Sequence, residues 1–143
     1  MDILSSPSLT ALNVVTAPEE MPVNETIELV ARAREETTVP LGAVIVNRVL
    51  PEPFTTEDEP VFAALGGPEA TEVLRAELGE GATGVLDAAR LAVALRRSRV
   101  PHLDALRDAV DLPLLYLPYL FVRDHGLRVT RVVAEALGAE LGL

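Results

Sequence analysis

The chain has 143 residues, of which 49% are hydrophobic and 24% charged, a composition typical of one globular domain. Its net charge of −10 argues against a nucleic-acid partner, because phosphate binding requires clustered positive charge. All 12 basic residues are arginine and cysteine is absent, which excludes lysine-dependent sites, disulfides and thiolate zinc sites within this sequence. The opening residues form no signal peptide, and no apolar run is long enough to cross a bilayer, so we expect a cytoplasmic protein.

The first part of the chain predicts a β-α-β unit. Residues 11–17 and 41–48 are continuous apolar runs too short for helices, which is typical of strands buried in a parallel sheet. The helix between them is predicted to begin at an N-cap, Asn24, after a loop that carries Glu19, and to run to about Glu36. Such a crossover is almost always right-handed.

A helical insertion is predicted over residues 57–110. Within it, the glycine-spaced segment 80–84 indicates a turn, residues 85–97 a helix, and Pro101 a break after that helix. The helix is predicted to end in a basic cluster of Arg96, Arg97 and Arg99. Because arginine complements the helix dipole at a carboxyl end, this position favours a structural role for the cluster.

A third strand over residues 112–117 and a last helix after Gly126 complete the predicted order β-α-β-insertion-β-α. The expected fold is therefore α/β, a partial parallel sheet of three strands with flanking helices. Three parallel strands leave an edge and part of a face bare, so we expect this sheet to be part of a larger one.

Polar residues that follow the buried strands are the candidates for ligand contact. In open α/β sheets, ligands bind beyond the carboxyl ends of the strands, which favours Asn47. Alternatively, Asn47 simply caps its strand. His125 lies in the loop after the third strand, at the same end of the sheet. Glu19 and its neighbouring glutamate could form an acid/base pair, although adjacent loop carboxylates more often face water.

No motif for catalysis is present in these residues. A Walker A loop needs a lysine, and the sequence has neither a nucleophilic Gly-x-Ser-x-Gly segment nor metal-ligand spacing between its two histidines. We therefore predict no catalytic residue and no bound metal.

Four segments carry a resemblance to a known family: residues 14–26 (VVTAPEEMPVNET), 44–48 (VIVNR), 117–120 (LPYL) and 123–127 (RDHGL). They resemble the ArsA-like anion-transporting and tail-anchored-protein-targeting ATPases. The likeness covers essentially the whole chain and corresponds to the C-terminal part of the nucleotide-binding domain, in an arginine-rich, actinobacterial-type member.

The resemblance implies a deviant P-loop NTPase fold that dimerises around ATP and couples hydrolysis to a moving helical subdomain. It places the adenine side of the ATP site at one set of residues, namely Asn47, Arg48, Pro118, Tyr119 and Phe121. A second set is placed near the dimer and nucleotide face, namely Pro18, Glu19, Glu25 and Thr26. The helical insertion would then face a membrane-protein or other protein client.

The sequence also departs from the family. The P-loop, the switch regions and the catalytic aspartate belong to an N-terminal half that these residues do not include, so the chain alone is expected not to hydrolyse ATP. Magnesium would be held through that half, and the partner is expected to be an N-terminal P-loop half or a second copy. The paired cysteines that bind zinc in some members are missing, so no zinc is expected.

Two other interpretations stay open. The chain could be a small acidic α/β interaction module without nucleotide binding, which predicts a complete sheet and no affinity for adenine. It could also be an enzyme on a flavodoxin-like scaffold, which requires Glu19, Asn47 and His125 to converge on one centre.

Overall fold

A computed structural model describes residues 3–52, 54–55, 57–121 and 126–143, apart from the side chain of Glu59. The chain divides into two compact units. The first, the sheet unit, comprises Met1–Val49 and Arg99–Leu143, and the second, the helical unit, comprises Leu50–Ser98.

The elements follow the order β1 (Leu12–Thr16), α1 (Glu20–Glu36), β2 (Leu41–Val49), α2 (Glu59–Ala64), α3 (Pro68–Leu78), α4 (Gly81–Ala109), β3 (Leu114–Pro118) and α5 (Leu127–Leu141). The strands form one parallel sheet in the order β1-β2-β3, with β2 in the centre. The predicted fold class is therefore confirmed: an α/β fold with a three-stranded parallel sheet flanked by helices, consistent with a P-loop NTPase-like fold.

The core of the sheet unit lies on one face of the sheet. Alternate residues of the strands point to this face, where α1 and the last turns of α4 cover them. Helix α1 contributes residues at helical spacing, and α4 contributes Leu103 and Leu106. The fully or nearly fully buried members are Val14, Val23, Val30, Val44, Val46, Leu103, Leu106 and Val110.

The opposite face of the sheet is incompletely covered. Val15, Ile45 and Leu115 are aligned across the three strands, and the Val15 side chain is 62% exposed. Helix α5 packs beside β3, and the Glu140 carboxylate accepts a hydrogen bond from the Tyr116 backbone N–H at 2.8 Å. This contact satisfies a donor on the edge strand, but the β1 side of the same face has no comparable cover from the described residues.

Two expectations for the helices were wrong. Helix α1 begins at Glu20 rather than after Asn24, and the Val23 N–H donates to the Glu19 carbonyl at 3.0 Å. Pro22 is accommodated there because first-turn N–H groups have no partner within a helix. Helix α4 passes through Pro101 without ending and also includes the expected turn from Gly81. Burial of apolar residues after Pro101 offsets the missing N–H donor.

The basic cluster consequently lies inside α4 and not at its carboxyl end. The dipole argument for its structural role therefore does not apply, since the dipole acts within the last turn of a helix.

A side chain replaces part of the backbone pairing between β1 and β2. The register shifts between Leu12 and Val14, and the Asn13 Oδ1 accepts a hydrogen bond from the Ala43 N–H at 2.9 Å. A Cβ atom on Gly42 would lie 2.4 Å from this oxygen. A side chain at position 42 would therefore displace Asn13 from this hydrogen bond, which favours glycine there.

The helical unit contains α2, α3 and α4 up to Ser98. The Asp58 carboxylate accepts hydrogen bonds from the Thr55 hydroxyl at 2.7 Å and the Thr55 N–H at 3.0 Å, ahead of α2. The rings of Phe54 and Phe62 stack with centroids 4.3 Å apart. No helix within the described ranges combines the length and apolarity needed to span a bilayer.

Candidate ligand site at the carboxyl ends of the strands

The carboxyl end of β2 carries a bulge. Val46 pairs with Tyr116 and Val49 with Pro118, so β2 has one residue more than β3 over this interval. Arg48 has φ 62°, which is in the left-handed region and unusual for a residue other than glycine. Bulges re-aim side chains and are common beside active sites. Here the bulge turns Asn47 and Arg48 out of the sheet at its carboxyl edge.

Asn47 caps the strand in the way the simpler interpretation expected. Its Oδ1 accepts a hydrogen bond from the Arg48 N–H at 2.9 Å. The side chain is exposed, and its NH2 group donates to no described residue. Since a carbonyl oxygen has two lone pairs, Asn47 retains one acceptor position and two donors for a ligand. Capping and ligand binding are therefore compatible.

A first cavity of about 360 Å³, the α1 cleft, lies between the end of β1, helix α1 and the end of β2. Its walls are mostly apolar, and its polar groups come from predicted site residues and Thr16. The lining residues are Val14, Val15, Thr16, Ala17, Pro22, Glu25, Thr26, Leu29, Asn47 and Arg48. The structure thus brings Glu25 and Thr26 to the same cavity as Asn47 and Arg48.

A second cavity of about 340 Å³, the α5 cleft, lies between the ends of β2 and β3 and helix α5. It is lined by Asn47, Arg48, Leu117, Pro118, Tyr119, Leu120, Val133 and Ala136. Pro118 and Tyr119 are therefore beside Asn47 and Arg48. Phe121 does not line the cleft: the residue is 74% exposed, and its ring lies 4.7 Å from the Tyr119 ring, centroid to centroid.

The remaining predicted residues lie at the beginning of α1. Pro18 is fully buried, so it can contact a ligand only through a change in packing. Glu19 is the N-cap residue of α1, and its carboxylate forms an ion pair with Arg99 at 3.4 Å. Arg99 also donates to the Arg48 carbonyl at 3.4 Å. These contacts join the beginning of α1 to the end of β2.

Sequence analysis assigned Arg99 to a basic cluster with a structural role but did not place it at this site, although the sequence carries a signal for that position. Arg99, Leu103, Leu106 and Val110 recur at spacings of four, three and four, so they share one face of a continuous helix. Because α4 continues through Pro101, this face is the one that is buried against the sheet.

The described residues of the site offer hydrogen-bonding groups and apolar walls to a ligand. The described residues hold no cluster of three or more histidines, cysteines or carboxylates that could bind a metal ion. His125, part of the flavodoxin-like hypothesis, lies outside the described residues, and the Glu19 carboxylate of that hypothesis is paired with Arg99. Two neighbouring clefts that share the polar residues Asn47 and Arg48 are typical of a site for a small molecule.

Comparisons with known proteins agree with this class of fold, an α/β domain built on a parallel sheet. The model of a family described as anion-transporting ATPase (ArsA) matches residues 1–65. ATPase BagA of Mycobacterium tuberculosis is 32% identical over 127 residues, an alignment that covers 75% of this chain and 37% of that protein. A relative from Mycobacterium bovis and one from a second M. tuberculosis strain match with the same identity and coverage.

The chain belongs to the ArsA-like ATPase family. It spans a little over a third of the length of the curated relatives that it matches.

Proposed function

We propose that this chain supplies the adenine side of an ATP site and does not hydrolyse ATP by itself. The observation that carries the proposal is the position of Asn47 and Arg48, which line both clefts at the carboxyl edge of a parallel sheet. Membership of a family of ATPases supports ATP as the ligand.

The chemistry of the α5 cleft suits adenine. An asparagine amide can pair with the adenine N6 and N7 atoms, one donor and one acceptor on each side. Asn47 has donors and an acceptor position to offer, and Pro118 and Tyr119 supply an apolar wall and an aromatic ring beside it. Aromatic rings stack on bases of any sequence because every base has a π-face. In this proposal, Glu25 and Thr26 line the dimer and nucleotide face through the α1 cleft.

The phosphate side has no counterpart in the sequence given, which contains no lysine for a Walker A loop. We propose that an N-terminal P-loop half, or a second copy of the chain, supplies it together with the magnesium site. The unpaired edge of β1, which carries the exposed Val15, supports a partner that extends the sheet. Such an assembly would act in the cytoplasm on a protein or membrane-protein client of the helical unit.

Binding of adenosine tests the base side directly. We expect adenosine and ATP to perturb the same NMR resonances of the chain with affinities within about tenfold of each other, because the base makes the contacts. The Asn47 side-chain NH2 resonances should shift. Asn47→Ala should abolish these shifts, whereas Asn24→Ala, an exposed asparagine outside both clefts, should leave them unchanged. No shift at Asn47 with millimolar adenosine would refute the adenine assignment.

A second experiment tests the missing phosphate side. Purified chain with ATP and magnesium should release no phosphate above the rate of the Asn47→Ala variant. Hydrolysis by the chain alone that is lost in this variant would overturn the proposal that a partner is needed.

The exposed sheet face also favours a second candidate, an acidic α/β module that binds a protein without nucleotide. Val15 lies on the edge strand and in line with the half-buried Ile45 and Leu115, as expected of a surface for protein contact. This candidate predicts that Val15→Glu blocks association with the partner while adenosine causes no shift in the wild-type spectrum.

A further inference from the structure

We propose that Arg99 is a positioning residue that holds the bulge at Asn47 and Arg48 in the geometry needed for ligand binding. The assignment of a ligand to this bulge rests on the proposed function, but the positioning itself can be measured without any ligand.

Arg99 contacts two elements that meet at the site. One guanidinium nitrogen, Nη1, lies 3.4 Å from the Arg48 carbonyl oxygen, and the other, Nη2, lies 3.4 Å from Glu19 Oε1. The Arg99 side chain is only 20% exposed. A partly buried guanidinium is screened less than a surface one, so these contacts constrain its two acceptors more than a surface ion pair would.

The acceptor on β2 is the residue that most needs support. Arg48 occupies the left-handed region at φ 62°, and a residue with a Cβ atom stays there only when its surroundings determine it. Three hydrogen bonds surround this residue: the Arg48 N–H donates to Asn47 Oδ1, its carbonyl accepts from Arg99, and the next carbonyl, of Val49, accepts from the Tyr119 N–H at 2.8 Å. Arg99 supplies the contact that comes from outside the sheet.

The second acceptor, Glu19, connects the bulge through Arg99 to the opposite wall of the α1 cleft. Glu19 is the N-cap of the helix whose residues Pro22 and Glu25 line that cleft, while Arg48 lines it from β2. One planar guanidinium with two donors can hold both acceptors at a fixed separation, whereas a lysine ammonium on a flexible stem is a single point of contact. Arg99 therefore sets the distance between the two walls.

The test compares Arg99→Gln with Arg32→Gln, a matched control in the same unit whose partner, Glu36, lies on the same exposed surface of α1. The readout is amide hydrogen exchange without ligand. In Arg99→Gln, we expect the Arg48 and Tyr119 amides to exchange at least about tenfold faster, because a charge-assisted contact beside them is lost. The Val44 amide, which donates to the Pro113 carbonyl at 2.9 Å, should keep its protection. Arg32→Gln should change none of the three.

Two further variants keep the test decisive if Arg99→Gln folds poorly. Arg99→Lys should increase the rate of hydrogen exchange at the Arg48 amide and preserve the fold, because the charge stays while the two-point contact is lost. Glu19→Ala, at an exposed carboxylate, should increase the exchange rate of the same amide to a smaller extent. Unchanged exchange at Arg48 and Tyr119 in folded Arg99 variants would overturn the proposal.

Adenosine binding separates this inference from the proposed function. If both hold, Arg99→Gln should lower adenosine affinity about tenfold relative to the wild type and Arg32→Gln. If the wild type binds no adenosine but exchange at Arg48 rises in Arg99→Gln, the positioning stands and the adenine assignment fails. If adenosine binds the wild type and Arg99→Gln equally and exchange is unchanged, the positioning fails and the adenine assignment stands.

Discussion

The two units of the chain bury their apolar residues to very different extents. In the sheet unit, Val44, Val46 and Leu106 have no exposed surface. In the helical unit, no side chain within the described residues is buried, and several large apolar side chains are largely exposed. These are Val61, Val73, Leu78, Val85 and Leu91.

The difference shows which part of the chain forms a core from its own residues. Residues that lose all contact with water tolerate little change, because interiors pack at the density of organic crystals. Helices whose apolar side chains stay exposed have surface left for a partner. The site at the carboxyl ends of the strands belongs to the well-packed unit.

The largest expected effect comes from removing apolar volume on α4, which contributes residues to both units. Leu106→Ala should lower the free energy of unfolding by about 2–5 kcal/mol, because it opens a cavity in a filled core. Leu91→Ala, a side chain 60% exposed on the same helix, should change it by no more than about 0.5 kcal/mol. Urea unfolding followed by circular dichroism measures both. Equal losses would show that the helical unit is packed as tightly as the sheet unit.

Glycine-to-alanine substitutions should change the free energy of unfolding in opposite directions in the two units. Gly42→Ala should cost about 0.5–1.5 kcal/mol, because its methyl group would displace Asn13 Oδ1 from its hydrogen bond with the Ala43 N–H. Gly84→Ala, inside α4 with no atom within 4 Å of the new Cβ, should stabilise its helix by about 0.5–1 kcal/mol. Thermal unfolding of both variants provides the measurement. If the loss of stability caused by Gly42→Ala is as large in the Asn13→Ala variant as in the wild type, contact with Asn13 is not the cause of that loss.

The smallest effects concern one carboxylate in each unit. The hydrogen bond from Arg34 lowers the pKa of Asp111 in the sheet unit, and the hydrogen bond from the Thr55 hydroxyl lowers the pKa of Asp58 in the helical unit. Each therefore adds stability that is present above the pKa of the unfolded chain and is lost as the pH falls through the folded-state pKa.

Removing the donors tests both assignments. Arg34→Gln should raise the pKa of Asp111 toward its ordinary value, and Thr55→Val should raise that of Asp58, each without effect on the other. NMR titration of the two carboxyl carbons measures both values. An unchanged Asp111 pKa in Arg34→Gln would contradict the ion pair.

The sequence by itself determined the fold class, the strand positions to within about two residues, and Asn47 as the residue at the edge of the sheet. These depend on local patterns: runs of apolar residues, their periods, and the point at which each run stops. The resemblance to ArsA-like ATPases also rests on short contiguous segments. Such signals do not require knowledge of which distant residues meet.

Only the tertiary structure decided the features that arise between distant residues. Arg99 lies 51 residues from Arg48 and 80 from Glu19, and no local pattern joins the three. The same holds for Asn13 and Ala43, and for the passage of α4 through Pro101, where burial of Leu103 and Leu106 outweighs the local preference for a break. Packing and hydrogen bonding in three dimensions override local propensity at these positions, because the free energy of burial exceeds the small differences between local conformations.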